Sequence, residues 1–207
     1  MTNVIEVIKN ICKTMQEHKD YLTELDQPIG DSDHGINMAR GFEAVNEKLD
    51  ELKDKDIATI LKTVGMTLVS TVGGASGPLY GSAFLKAAMT VTGKNDIDID
   101  TFISMLSSAI EAVKQRGKAT LGEATMLDAM IPSLEAMQNA REEKKPALEI
   151  LKEGVEAAKK GAEHTKDLIA TKGRASYVGE RGLGHQDPGA TSYTYLLEAI
   201  YESVKGD

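Results

Sequence analysis

Apolar residues return every three or four positions along nearly the whole chain, and no stretch alternates convincingly between apolar and polar. That spacing puts them on one face of a helix, whereas a half-buried strand needs a period of two. Val4, Ile5, Ile8, Ile11, Cys12 and Met15 mark a first helix, and Met38, Phe42, Val45, Leu49 and Leu52 a second. Ile57, Ile60, Leu61, Val64, Leu68 and Val72 mark a third, so poor in charge that it should be well buried. A fourth is expected from about Pro78 to Val91, and a fifth with Ile99, Phe102, Ile103, Leu106, Ile110 and Val113 on one face. A sixth should cover about 125–137, kinked at Pro132. The seventh begins near Pro146 and runs through Leu148, Leu151, Val155 and Ala158 towards Ile169. The last opens with Asp187 and Pro188, a capping residue followed by the residue favoured at the first helical position. The expectation is an all-α chain, one domain over residues 1–207, with eight helices running up and down.

The connections fall into two kinds. Those after the second, fourth and sixth helices, "DELKDKD", "TGKNDID" and "NAREEKK", are short and charged. Those after the first, third, fifth and seventh are "DQPIGDSDHG", "GGASGP", "QRGKATLGEAT" and "TKGRASYVGERGLGHQDPG". These four are rich in glycine and carry the unusual polar residues. Successive links in an up-and-down array alternate between its two ends, so all four should meet at one end. That end is where a site is expected.

The first of them holds Asp26, Asp31 and Asp33 with no basic residue between. Pro28 and Gly30 exclude a helix through the segment, so a loop can wrap the carboxylates around one point. Such oxygens suit Mg²⁺ or Ca²⁺, and a divalent cation would offset their repulsion. A solvated turn, with Asp33 capping the next helix, is the plainer alternative. An EF-hand fits poorly, because Gly35 takes the fifth loop position and Phe42 the twelfth, where an oxygen ligand is needed.

"GGASGP" lets backbone approach closely and leads straight into a helix, whose free N–H groups and dipole favour a phosphate. It lacks the Lys-Ser/Thr of a Walker A loop. The fourth connection is longer than joining two helices requires, and it brings Arg174, Arg181, His185 and Asp187. Arg174 could clamp a phosphate. His34 could move a proton or simply form hydrogen bonds at a helix start.

Composition narrows the partners. A formal net charge of −8 speaks against nucleic acid. No apolar run approaches the ~20 residues of a membrane span, and no signal-peptide pattern opens the chain. The lone Cys12 lies in an apolar stripe and reads as a buried thiol. A cytoplasmic protein is expected.

"LDQPIGDSDHGINMARGF", "GGASGPLYGSAF", "RGKATLGEATMLDAM" and "KGRASYVGERGLGHQDPGATS" together resemble the nucleotide-binding subunit L of bacterial dihydroxyacetone kinase, in matching order from about residue 20 onward. The resemblance implies an antiparallel barrel of eight helices with nucleotide at one end. It implies that Asp26, Asp31 and Asp33 bind two Mg²⁺ ions holding the phosphates of ADP, or of ATP when charged. His34, Gly35, Ile36 and Asn37 would lie by the phosphates and the nearby nucleotide, and Ala75 and Ser76 would contact phosphate. Gly117, Met126, Arg174, Asp187 and Pro188 would complete the pocket.

The resemblance also implies partners. Dihydroxyacetone would sit on a separate kinase subunit, and a phosphohistidine protein of the sugar phosphotransferase system would recharge ADP in place. A first helix starting so near Met1 leaves no room for a fused sugar-binding domain, so this stand-alone version is expected over an ATP-dependent kinase with exchangeable nucleotide. The aspartates would be ligands, with none acting as a general base. A non-enzymatic nucleotide-binding regulator is the remaining alternative.

Overall fold

The computed structural model describes residues 3–206. Among them are nine α-helices and no strand: α1 (Val4–Glu17), α2 (Lys19–Asp26), α3 (His34–Asn46), α4 (Ile57–Thr71), α5 (Ser76–Thr90), α6 (Ile99–Gly117), α7 (Leu127–Glu142), α8 (Ala147–His164) and α9 (Pro188–Lys205). Each of α3 to α9 packs on the helix before it, and α9 returns to α1, so the array closes into a ring. The apolar stripes face inward and meet there. Phe42, Met38, Leu22, Leu68, Leu127, Met137, Ile150 and Leu197 are all fully buried, and each such side chain contributes about 1.5–3 kcal/mol by leaving water.

Four boundaries depart from the periodicity, one of them the end of α7, which runs to Glu142 and takes in the start of the expected link "NAREEKK". The first expected helix is two, because the backbone leaves the helical region at His18 (φ −99°, ψ 7°). The ring of Tyr195 on α9 stacks on that of His18 with centroids 3.8 Å apart, holding the break from the side. The second stops at Asn46, and Leu49 and Leu52 reach the core from a separate 3₁₀ turn, Leu49–Leu52. The seventh stops at His164, a 3₁₀ turn at Thr165–Asp167 follows, and Ile169 is left exposed. In α7 the helix is continuous on both sides of Pro132.

Helix starts are capped at both ends of the ring, though not at every helix. At the end with the short charged links, Asp56 accepts from the Thr59 N–H at 2.9 Å and Asp98 from the Thr101 N–H at 2.7 Å. Caps of this kind stabilise a helix by roughly 1 kcal/mol. At the glycine-rich end Asp187 caps α9 and Thr125 Oγ1 accepts the Leu127 N–H at the start of α7, whereas α3 and α5 begin with no bond from their own N-cap side chain.

Candidate functional site

The four glycine-rich connections do meet at one end. His34 Nδ1 lies 3.2 Å from the Ser76 Oγ, joining the first to the second. Gly117, closing α6, lies against Leu79 in the first turn of α5, which joins the second to the third. Thr171 Oγ1 donates to Glu123 Oε1 at 2.7 Å, joining the third to the fourth. Arg174 Nη2 stands 2.8 Å from Asp31 Oδ2 and closes the circle.

Within that circle the ligand oxygens of Asp26, Asp31 and Asp33 lie within 4.8 Å of one another. Asp26 is buried at the last residue of α2, Asp31 is exposed, and Asp33 is half-buried. The plainer reading, a turn in which Asp33 caps α3, fails locally because the Asp33 side chain makes no cap bond. Asp26 does that work from the preceding helix: its Oδ2 accepts the Asp33 N–H at 2.9 Å and the His34 N–H at 3.2 Å. One carboxylate therefore folds the loop, and the other two are turned in beside it. Gly30 makes the fold possible, since a Cβ there would overlap the Asp26 carboxylate. Arg174 is the one cation paired with this cluster among the described residues, and its side chain is 67% exposed, so three anions meet one solvated positive charge. The oxygen-only donor set fits a hard divalent cation such as Mg²⁺.

His34 is buried between two serines, with Nε2 2.9 Å from the Ser192 Oγ and Nδ1 3.2 Å from the Ser76 Oγ. Burial pushes its pKa down to about 4, against the opposing pull of Asp26 and Asp33, so the ring is neutral at physiological pH. Gly35 is covered by α2, where a Cβ would overlap the Lys19 carbonyl, so its missing side chain serves helix packing. Ile36 is 48% exposed on the first turn of α3. Asn37 is buried, and its Oδ1 accepts from Arg40 Nη2 at 2.7 Å. Exposed Ala75 and half-buried Ser76 stand at the uncapped start of α5.

Gly117 and Met126 belong with the third connection rather than with the carboxylates. Met126 is 4% exposed, and its Cβ faces Gly189 just past Pro188. Asp187 caps α9, accepting the Ala190 N–H at 2.6 Å. Burial, aided by the charges of Asp128 and Asp26, pushes its pKa up to about 7.

Several structural residues of this end were not singled out by the sequence. Ser192 is fully buried and takes both His34 Nε2 and the Tyr80 hydroxyl, the latter at 2.8 Å. Buried Asp128 accepts the Gly122 N–H at 2.6 Å and the Thr125 N–H at 2.7 Å, shaping the third connection. Their signal was present but weak: a serine and an aspartate on the inward faces of otherwise apolar helices.

The description of the DAK2 domain matches residues 28–202 of this sequence. The chain belongs to the DAK2 family. It is 46% identical over 201 residues to the ADP-binding subunit DhaL of PEP-dependent dihydroxyacetone kinase 2 from Listeria innocua, covering 96% of this chain and 93% of that one. It is 40% identical over 204 residues to the corresponding subunit from Escherichia coli K12, covering 99% and 97%. The crystal structure of the dihydroxyacetone kinase of C. freundii in its native form superposes with a TM-score of 0.76 at 25% identity, over 97% of this chain. This DAK2 chain spans about a third of that kinase, 34% of its length. The same kinase in complex with AMP-PNP and Mg²⁺ shares the fold, with a TM-score of 0.73. The expected all-α barrel is thus the architecture of the DAK2 family, with the first of its eight helices divided.

Proposed function

We propose that this chain is the ADP-binding, phosphoryl-transferring subunit of a phosphotransferase-dependent dihydroxyacetone kinase. One observation carries the reading: three carboxylates gathered within 4.8 Å, tied through His34 and Ser76 to the uncapped start of α5. A carboxylate cluster calls for a cation, and a helix start with free N–H groups calls for an anion. A magnesium-bound diphosphate answers both. The family and the near-full-length match to ADP-binding subunits point to the same ligand.

Asp26, Asp31 and Asp33 would hold two Mg²⁺ ions. When bound, these offset phosphate charge and fix the phosphates for in-line transfer. The protein's own part is positioning. Asp26 sets the loop, and the backbone N–H groups opening α5 and the Arg174 guanidinium would hold the phosphates. His34 to Asn37 would lie alongside, and Gly117, Met126, Asp187 and Pro188 would wall the nucleoside side. No residue is assigned as an acid or base, because phosphoryl transfer asks chiefly for positioning and charge neutralisation.

The acceptor dihydroxyacetone would be carried by a partner subunit, and a phosphohistidine protein of the phosphotransferase system would recharge ADP where it sits. No helix among the described residues is long and apolar enough to cross a membrane, and a cytoplasmic setting is part of the proposal. The test is product formed per subunit when the chain, preloaded with ATP, is given dihydroxyacetone and the dihydroxyacetone-binding subunit, with further ATP in excess and no phosphohistidine donor. A plateau near one product per subunit is expected. Many turnovers would instead indicate an ATP-dependent kinase with exchangeable nucleotide. No product, with nucleotide bound, would indicate a regulator.

A further inference from the structure

His34 belongs to a small set of hydrogen bonds, buried at Ser192 and part-buried at Ser76, whose protons can be counted. Ser192 Oγ has three partners: His34 Nε2 at 2.9 Å, the Tyr80 hydroxyl at 2.8 Å and the Gly189 carbonyl oxygen at 3.1 Å. The hydroxyl has one hydrogen to give and two lone pairs with which to receive. The carbonyl can only accept, so that contact exists only if Ser192 donates to it. Ser192 must then receive from both Tyr80 and His34, which requires a hydrogen on Nε2. In the tautomer with its single hydrogen on Nε2, Nδ1 is bare and accepts from the Ser76 hydroxyl at 3.2 Å. The opposite arrangement, in which Ser192 donates to Nε2 and Nδ1–H to Ser76, leaves the Gly189 contact unmade and so has one hydrogen bond fewer. If Ser192 donated to Tyr80, the buried Tyr80 hydrogen would have no acceptor among the described residues, a cost of about 1–3 kcal/mol.

The geometry points to Ser192, oriented by Tyr80 and the Gly189 carbonyl, as the positioning residue that fixes the tautomer of His34, with the hydrogen on Nε2 and an accepting Nδ1 turned to Ser76. All three lie on separate helices, α3, α5 and α9, so the ring is locked from both sides. One consequence is for anion recognition. In the free protein the Ser76 hydroxyl hydrogen is committed inward to Nδ1, so an anion arriving at α5 meets the Ser76 backbone N–H first. This consequence rests on the phosphate site proposed above; the tautomer does not.

The test is long-range ¹⁵N–¹H NMR of the imidazole nitrogens in the nucleotide-free protein, with the His34 signal identified by its loss in His34→Gln. The wild-type ring should show a protonated Nε2 and a bare Nδ1. A protonated Nδ1 with bare Nε2 would overturn the proposal. In Ser192→Ala the buried Nε2 hydrogen loses its acceptor, and the population should shift to the Nδ1–H form, which donates to Ser76. An unchanged tautomer in a folded Ser192→Ala would also overturn it. The wild-type spectrum decides the assignment whether or not the variant folds. Separate titration with ADP and Mg²⁺ reports on the nucleotide reading, so the two can fail independently.

Discussion

Asp26 Oδ2 accepts the backbone N–H of Asp33 at 2.9 Å, so the residue that closes α2 also builds the start of α3. Asp26 is 8% exposed, and the same oxygen takes the His34 N–H. The three aspartates are therefore unequal. Asp26 is a structural acceptor as well as a candidate ligand, whereas Asp33 makes no cap bond and is available to a cation.

Asp26→Ala and Asp33→Asn should separate these roles. Losing Asp26 leaves two N–H groups without their acceptor and should destabilise the metal-free protein by roughly 1–3 kcal/mol. Relief of charge repulsion will not cancel this, because Asp31 is exposed and already paired with Arg174. Asp33→Asn should leave the metal-free protein within ~0.5 kcal/mol of wild type, as surface changes usually do, while abolishing phosphoryl transfer. Urea unfolding followed by circular dichroism, beside Mg²⁺-dependent ADP titration, checks both. Unchanged ADP affinity in Asp33→Asn would remove it from the ligand set.

Gly30→Ala should act on the site through Asp26. The added methyl would overlap the Asp26 carboxylate and push it out of the loop. The expected outcome is a folded helical protein with Mg²⁺-dependent ADP affinity reduced at least tenfold. Calorimetric titration decides it, and wild-type affinity would show that the loop tolerates a displaced Asp26.

Arg174→Ala should affect binding more than stability. The pair with Asp31 is solvated, with side-chain exposures of 67% and 35%, and such pairs contribute about 0–1 kcal/mol. Thermal unfolding without nucleotide should therefore be nearly unchanged. ADP affinity should fall, more steeply at low salt than at high salt, since screening weakens the wild-type attraction. A large loss of stability would instead mark Arg174 as a structural clasp.

Chelation gives a further check. If the carboxylates face phosphates through Mg²⁺, EDTA should release bound ADP and lower the melting temperature of the loaded protein, because a ligand that binds only the folded state stabilises it by mass action. ADP retained through gel filtration after chelation would count against a metal-mediated site.

Cys12 should be chemically silent in the folded protein. It is 3% exposed, and burial pushes its thiol pKa from the ordinary 9.0 up to about 12, with Glu43 adding to the effect. A thiol reagent at neutral pH should react only after denaturant is added. Because the unfolded thiol ionises first, this residue's contribution to stability is full below pH 9 and is lost as pH rises towards 12. Rapid labelling of native protein would contradict the burial.

The sequence by itself determined the helices, their order, and the end of the array where the polar residues gather. Those features are local: a period of 3.6 fixes which face is buried, and glycine and proline fix where helices stop. It brought Asp26, Asp31 and Asp33 into one short segment because they are neighbours in the chain. Tertiary structure alone decided what depends on distant partners. Tyr195 sits beside the break at His18, dividing one expected helix into two, and Leu49 and Leu52 keep their core places outside the helix that their spacing suggested. Asp26 became the cap of α3 only when the loop folded back, and Ser192 and Tyr80 became partners of His34 only when α9 closed the ring. A buried serine in an apolar face has no periodic signature, since its hydrogen bonds are set by whichever side chain arrives opposite it.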